Sequence, residues 1–217
     1  VQASEFSLLQ AVPFVEWNTT TNNLTFKYGN KPADVAGEYS CFDINGQTEE
    51  HPEWSEIFKK PEVTTVVFDE SFKYFYPTSC REWFSTGYYL KNIEGLEYLN
   101  TNEVTDMSQM FKACYSLPNI DLTHFNTDKV TEMDQMFYAC WSLTTLDLSE
   151  FNTSSVATMY QMFMSCNSLQ TVYVNCNFTT ENCKDNDNQM FAQCAKLAGA
   201  TECDGTSDIG TNRANYV

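Results

Sequence analysis

The chain has 217 residues, 42 % of them apolar and 15 % aromatic, enough for a sizeable core and too rich for disorder. A net charge of −17 with pI ≈ 4.3 argues against nucleic acid, which needs a basic footprint, and against electrostatic docking on an anionic membrane. No apolar run approaches the ~18 residues of a membrane span, so no direct insertion into a bilayer is expected.

The first residue is Val1, without Met or leader, which reads as a trimmed or mature start. Phe14–Val15–Glu16–Trp17 and Leu24–Thr25–Phe26–Lys27–Tyr28 alternate around the polar turn Asn18–Asn23, the pattern of a β-hairpin. Residues 1–60 are therefore expected to form an N-terminal cap that covers the edge of the first strand, Val63–Phe68.

From Val104 a segment recurs three times: VTDMSQMFKACYSLPNIDLTHFNTDK, then VTEMDQMFYACWSLTTLDLSEFNTSS from Val130 and VATMYQMFMSCNSLQTVYVNCNFTTE from Val156, 26 residues apart. Such a period marks a repeat array in which each unit buries its apolar face against its neighbours. Val104, Met107, Met110, Phe111, Cys114 and Leu117 fall at offsets of three and four, which predicts one face of a short helix. Thr131 with Asp134 has the spacing of a helix capping box. Then Ile120–Leu122, Leu146–Leu148 and Val172–Val174 alternate as strands do. Degenerate copies around Phe84 and Phe191 extend the array over residues 61–199 in about five units. The reading is an α/β solenoid with a parallel β-sheet on one face and short helices on the other. Residues 200–217 form a small, polar C-terminal tail that is expected to run on into a continuation.

Of nine cysteines, Cys114, Cys140, Cys166 and Cys194 each stand three residues after a repeat Phe. They read as a buried ladder. On successive helices the backbones would lie ~8–10 Å apart, beyond the ~7 Å reach of a disulfide, so free thiols are expected. Cys41, Cys80, Cys176, Cys183 and Cys203 are an odd set that leaves at least one more unpaired or paired elsewhere.

The recurring Met–Phe–Cys–Leu spacing with its Phe–Asn–Thr turn, together with Asn92–Thr101, closely resembles the repeat of BspA-like leucine-rich-repeat surface proteins over roughly residues 63–199. Departures are Val156–Ala157–Thr158, Tyr173 in place of the strand acid, and the polar insertion Asn182–Asn188. The resemblance implies a leucine-rich-repeat solenoid on a secreted or cell-surface protein with a role in adhesion and host-protein binding. It implies no transferable catalytic residues.

Glu94, Asp121, Asp147 and Tyr173 occupy the outward middle position of successive strands. At ~4.8 Å between strands, stacked acids repel and cost stability. Either they serve a ligand or they are simply the solvated face that keeps the sheet soluble. The Met stripe from Met107 to Met190 has core spacing, and His51 and His124 have no partner at ligand or triad spacing. Asp185–Asn188 carries oxygen ligands suited to calcium but lacks the Gly and Glu of an EF-hand loop. Asn18, Asn23, Asn152 and Asn177 sit in N-x-[ST] sequons. No phosphate loop or nucleophile elbow is present, and neither cofactor nor metal is expected.

These features point to a non-enzymatic cell-surface or secreted module that binds a host or matrix protein or glycan through the repeat surface. The alternative is a structural spacer within a longer surface protein. An acidic balance favours a cationic partner or serves solubility alone.

Overall fold

The computed structural model describes residues 11–44, 51–183 and 189–197. Strands β1 (Val12–Asn18) and β2 (Leu24–Gly29) pair antiparallel, with Val15 opposite Phe26. The turn closes through Asn18, whose Oδ1 accepts from the Thr20 and Thr21 amides at 2.9 Å. Strand β3 (Tyr39–Asp43) adds antiparallel to β1, and β2 runs parallel to β4 (Thr65–Phe68), which runs parallel to β5 (Asn92–Glu94). The result is one mixed sheet in the order β3-β1-β2-β4-β5. Phe26 ties the hairpin to the first repeat units: its ring stacks on Phe68 at 4.6 Å and meets Trp54 and Trp83, both at 5.5 Å. The Trp54 indole N–H donates to the Trp83 carbonyl at 2.9 Å, so the buried Trp54 ring leaves no polar group unpaired.

The α/β leucine-rich-repeat solenoid expected from the sequence is not what forms. A five-stranded mixed sheet stands apart from a two-stranded parallel sheet of β6 (Thr145–Leu148) and β7 (Thr171–Val174), instead of one continuous parallel sheet. The expected α-helices are absent among the described residues, whose helical elements are the short 3-10 segments Glu53–Lys59, Glu70–Tyr74 and Leu96–Tyr98.

Backbone dihedrals give the reason. Gln109 and Ala113 flank Phe111 at φ 59°, and Gln135, Ala139, Gln161 and Ser165 repeat this around Phe137 and Phe163. A left-handed residue on either side of the Phe turns the chain out of any helix. The amides then serve two directions. Met110, Lys112 and Cys114 donate to the carbonyl three residues back (3.1–3.2 Å), while Met107, Gln109, Phe111 and Ala113 donate to Glu132, Asp134, Met136 and Tyr138 of the next unit (2.7–2.9 Å). Every one of these amides is thus satisfied without a helix. The expected capping box is likewise replaced by a bond across units: Asp134 accepts from the Tyr160 amide at 2.8 Å and from the Thr158 hydroxyl.

Units held in this register superimpose like on like. Phe84, Phe111, Phe137, Phe163 and Phe191 stack with centroids 5.0–5.6 Å apart. The Met stripe is buried throughout. Cys41, Cys80, Cys176 and the four ladder cysteines are free thiols. The separation argued for the ladder does not hold, because no helices keep the backbones apart: the Phe111, Phe137 and Phe163 amides each bond a carbonyl of the next unit at 2.9 Å. Each ladder cysteine donates its S–H to a Phe carbonyl of the preceding unit, Cys114 to Phe84 and Cys140 to Phe111 at 3.2 Å, Cys166 to Phe137 and Cys194 to Phe163 at 3.0 Å.

The sheet is interrupted at one repeat for a legible reason. The residue before β5 and the one before β7 start their ladders: Lys91 donates to Thr64 at 2.8 Å and Gln170 to Thr144 at 2.9 Å. Pro118 holds that place in the intervening unit and has no N–H to give. Residues 119–122 form no strand, and among the described residues no backbone hydrogen bond joins them to β5 or β6.

Candidate functional site

Where residues 119–122 part from β5 a cleft opens, about 160 Å³ in volume. Ile93, Leu96 and Ile120 supply apolar wall, and Asn92, Asn119, Glu97, Asp121 and His124 supply polar groups. Gly95 sets one side of it. Its φ of 68° is left-handed, and a Cβ there would lie 2.3 Å from the Phe68 carbonyl oxygen, so only glycine lets the Leu96 turn approach β4 this closely. On the other side the His124 imidazole spans the gap: Nε2–H donates to the Leu96 carbonyl at 2.8 Å, and the ring edge meets Phe125.

Asp121 Oδ1 accepts from the Thr123 hydroxyl at 2.7 Å and the Thr123 amide at 3.0 Å, and these bonds hold its carboxyl below the usual carboxylate range. Glu94 accepts from the Asn92 side-chain amide at 2.9 Å. Glu97 and Asp121, which line the cleft, and Glu94 on neighbouring β5 take part in no ion pair among the described residues.

The four residues expected to form a single column are brought together only in part. Asp147 and Tyr173 are register partners on β6 and β7, and Tyr173 is 53 % exposed. Glu94 lies on β5 in the other sheet, opposite Val67, and Asp121 lies between the sheets on the unpaired segment. The acids also have local work. Asp147 Oδ1 accepts from the Ser149 amide at 2.9 Å, as Asp121 does from Thr123, so each closes the turn after it.

Both histidines have partners that sequence reasoning missed: His124 as above, and His51, whose Nδ1 contacts the carboxylate of buried Glu82. Pro118 was the visible signal for the cleft, since it stands where its sister units carry Thr144 and Gln170. Also missed was a second column, Tyr88 on Tyr115 at 4.9 Å and Tyr115 on Trp141 at 3.8 Å, directly after Gly87, Cys114 and Cys140 in successive units, with Trp141 45 % exposed. Its signal was again the period, which sets aromatic residues at corresponding positions of three successive units. Asp185–Asn188, Cys203 and the polar tail lie outside the described residues. Among the described residues no helix is long and apolar enough to cross a membrane.

Residues 78–202 match a protein family described as Mycoplasma protein of unknown function, DUF285. No curated protein matches the chain, and no solved structure does.

Proposed function

From a chain that belongs to the DUF285 family of Mycoplasma proteins of unknown function, we propose a non-enzymatic interaction module, secreted or displayed at the cell surface, that binds a host or matrix protein or glycan. The observation that carries this reading is the sheet face around the interrupted ladder. There the cleft is lined by Asp121, Glu94 stands on neighbouring β5, and Asp147 with the exposed Tyr173 alternates with the core residues Leu146 and Leu148; among the described residues none of these three carboxylates forms an ion pair. Acids left unpaired repel one another unless a partner supplies the opposite charge. A cationic or hydroxyl-rich partner is the chemistry that this face fits, and the net charge of −17 would draw cations in from a distance.

The test is an array of matrix proteins and glycans probed with the purified chain and with the triple variant Glu94→Gln, Asp121→Asn, Asp147→Asn. These amides keep the turn-closing acceptors and remove only the charge. Binding by the parent is expected to weaken as salt rises, because exposed charges are screened over ~8–10 Å, and the variant is expected to bind about tenfold more weakly or worse. Equal binding by both chains would refute the sheet-face reading.

A further inference from the structure

We propose that the cleft between β5 and residues 119–122 is a receptor for a single arginine side chain presented by a protein partner. The proposal deepens the sheet-face reading and rests on it. Size is the first constraint. An engineered apolar cavity of about 150 Å³ accommodates one benzene molecule, so about 160 Å³ admits one side chain and not an oligosaccharide chain or a folded epitope.

Chemistry is the second constraint. Ile93, Leu96 and Ile120 offer apolar wall to a chain of methylenes, and around them stand acceptors: the carboxylates of Glu97 and Asp121 and the side-chain carbonyls of Asn92 and Asn119. Asp121 spends one oxygen on Thr123, and among the described residues no hydrogen bond engages the other. A guanidinium carries five donors and no acceptor, so every one of these groups suits it. A lysine ammonium is a compact, strongly hydrated charge that gives up more solvation on entering a partly apolar cleft. A planar guanidinium is more weakly hydrated and can engage two carboxylates at once.

The site is also particular to this place in the stack. Between β6 and β7 the ladder is closed over four residue pairs, from Thr145 with Thr171 to Leu148 with Val174. Pro118 is what denies the same closure to the preceding unit. Replacing it with threonine, the residue of the next unit, restores a donor toward Lys91 and is expected to seal the cleft without removing any acid.

The experiment is an NMR titration of the isotopically labelled full chain with Nα-acetyl-arginine amide, with the citrulline amide, which keeps the shape and lacks the charge, and with the lysine amide. Arginine is expected to shift the side-chain amides of Asn92 and Asn119 and the Ile120 resonances saturably. Citrulline should bind about tenfold more weakly, and lysine measurably more weakly than arginine. Pro118→Thr and, separately, Glu97→Gln with Asp121→Asn should each abolish the arginine shifts. Equal affinity for arginine and citrulline overturns the proposal, as do shifts centred on other residues or undiminished binding by a folded Pro118→Thr protein. If Pro118→Thr does not fold, undiminished binding by the Glu97→Gln, Asp121→Asn protein overturns it instead. Array binding that survives while arginine fails to shift these residues rejects the pocket and leaves the sheet-face reading standing; arginine shifts at the cleft with no array binding support the pocket and count against the wider face.

Discussion

Replacing Thr86 with glycine should make this protein more stable, an outcome opposite to what a helix would give. Thr86 stands two residues after Phe84, the position taken by Ala113, Ala139 and Ser165 in later units, and its φ is 64°. For a residue with a Cβ the left-handed region costs about 1–2 kcal/mol, and a β-branched side chain fares worst there. Its hydroxyl is also buried with no hydrogen-bond partner, a deficit of about 1–3 kcal/mol. Glycine removes both costs. Against this stand about 0.5–1 kcal/mol of extra chain entropy in the unfolded state and about 0.8 kcal/mol for a lost methyl group. The Thr86 amide still donates to Lys112 at 2.8 Å. The net gain is about 1–2 kcal/mol, which for a chain of this size raises Tm by roughly 2–8 °C in calorimetry. Ala139→Gly, at φ 57° and without a hydroxyl, is the companion. Strain relief and lost methyl nearly cancel, so it should be close to neutral, whereas in a helix it would cost about 1 kcal/mol in propensity alone. A fall in Tm for Thr86→Gly, or a fall of several degrees for Ala139→Gly, would refute the left-handed geometry and restore the helix.

Phe137 is buried between two stacked rings at 5.6 Å, so Phe137→Ala should cost about 3–5 kcal/mol, and an unchanged calorimetric Tm would contradict the stack. Asp147→Asn should leave Tm nearly unchanged because the amide oxygen still accepts from Ser149, while Asp147→Ala should lose about 1 kcal/mol; equal effects would dismiss the turn-closing role. Under native conditions a thiol reagent should modify exposed Cys176 first, since burial pushes the Cys114 thiol up and neighbouring thiols push up Cys166 and Cys194. In denaturant without reductant at least five thiols should titrate, and fewer would mean that ladder cysteines are paired. Gly95→Ala should be strongly destabilising, because its Cβ meets the Phe68 carbonyl; a variant that melts like the parent would show that the approach of the two is not enforced.

What the sequence reveals here is spacing, and spacing is blind to handedness. Met107, Met110, Phe111 and Cys114 recur at three and four because the turn bonds run three residues back, and a helix has nearly the same recurrence. Core membership was therefore readable although the conformation was not: Phe111, Phe137, Phe163 and the ladder cysteines are all buried. The left-handed positions of the repeats carry Gln, Glu, Ala, Ser and Thr instead of the Gly or Asn that usually announces them. Their conformation is imposed by bonds to the next unit, a tertiary effect that no local window contains. The hairpin was legible because alternation and a polar turn are local. The outward position of Glu94, Asp121, Asp147 and Tyr173 was legible for the same reason. Their division between two sheets was not, because it turns on one residue, Pro118, which the repeat alignment contains and a search for recurring residues passes over.

That proline bears on where activity can reside in a stack built this way. Units in strict register bond amide to carbonyl and lay ring on ring, as Phe137 does on Phe163 and Gln135 on Gln161, whose side-chain amides join at 2.8 Å. Such a surface repeats itself every 26 residues, so a ligand that fits one unit fits its neighbours equally well. Discrimination requires a place where the repetition stops. Pro118 supplies one by withholding a hydrogen-bond donor on the β5 side, and among the described residues Asn119–Leu122 pair with neither β5 nor β6. Opening the ladder leaves polar backbone unsatisfied by protein, a cost that threonine at the same position would avoid. A sequence that bears this cost at one unit, with Glu97 and Asp121 lining the opening and forming no ion pair among the described residues, has its strongest claim to a binding role there, ahead of the more regular faces that flank it.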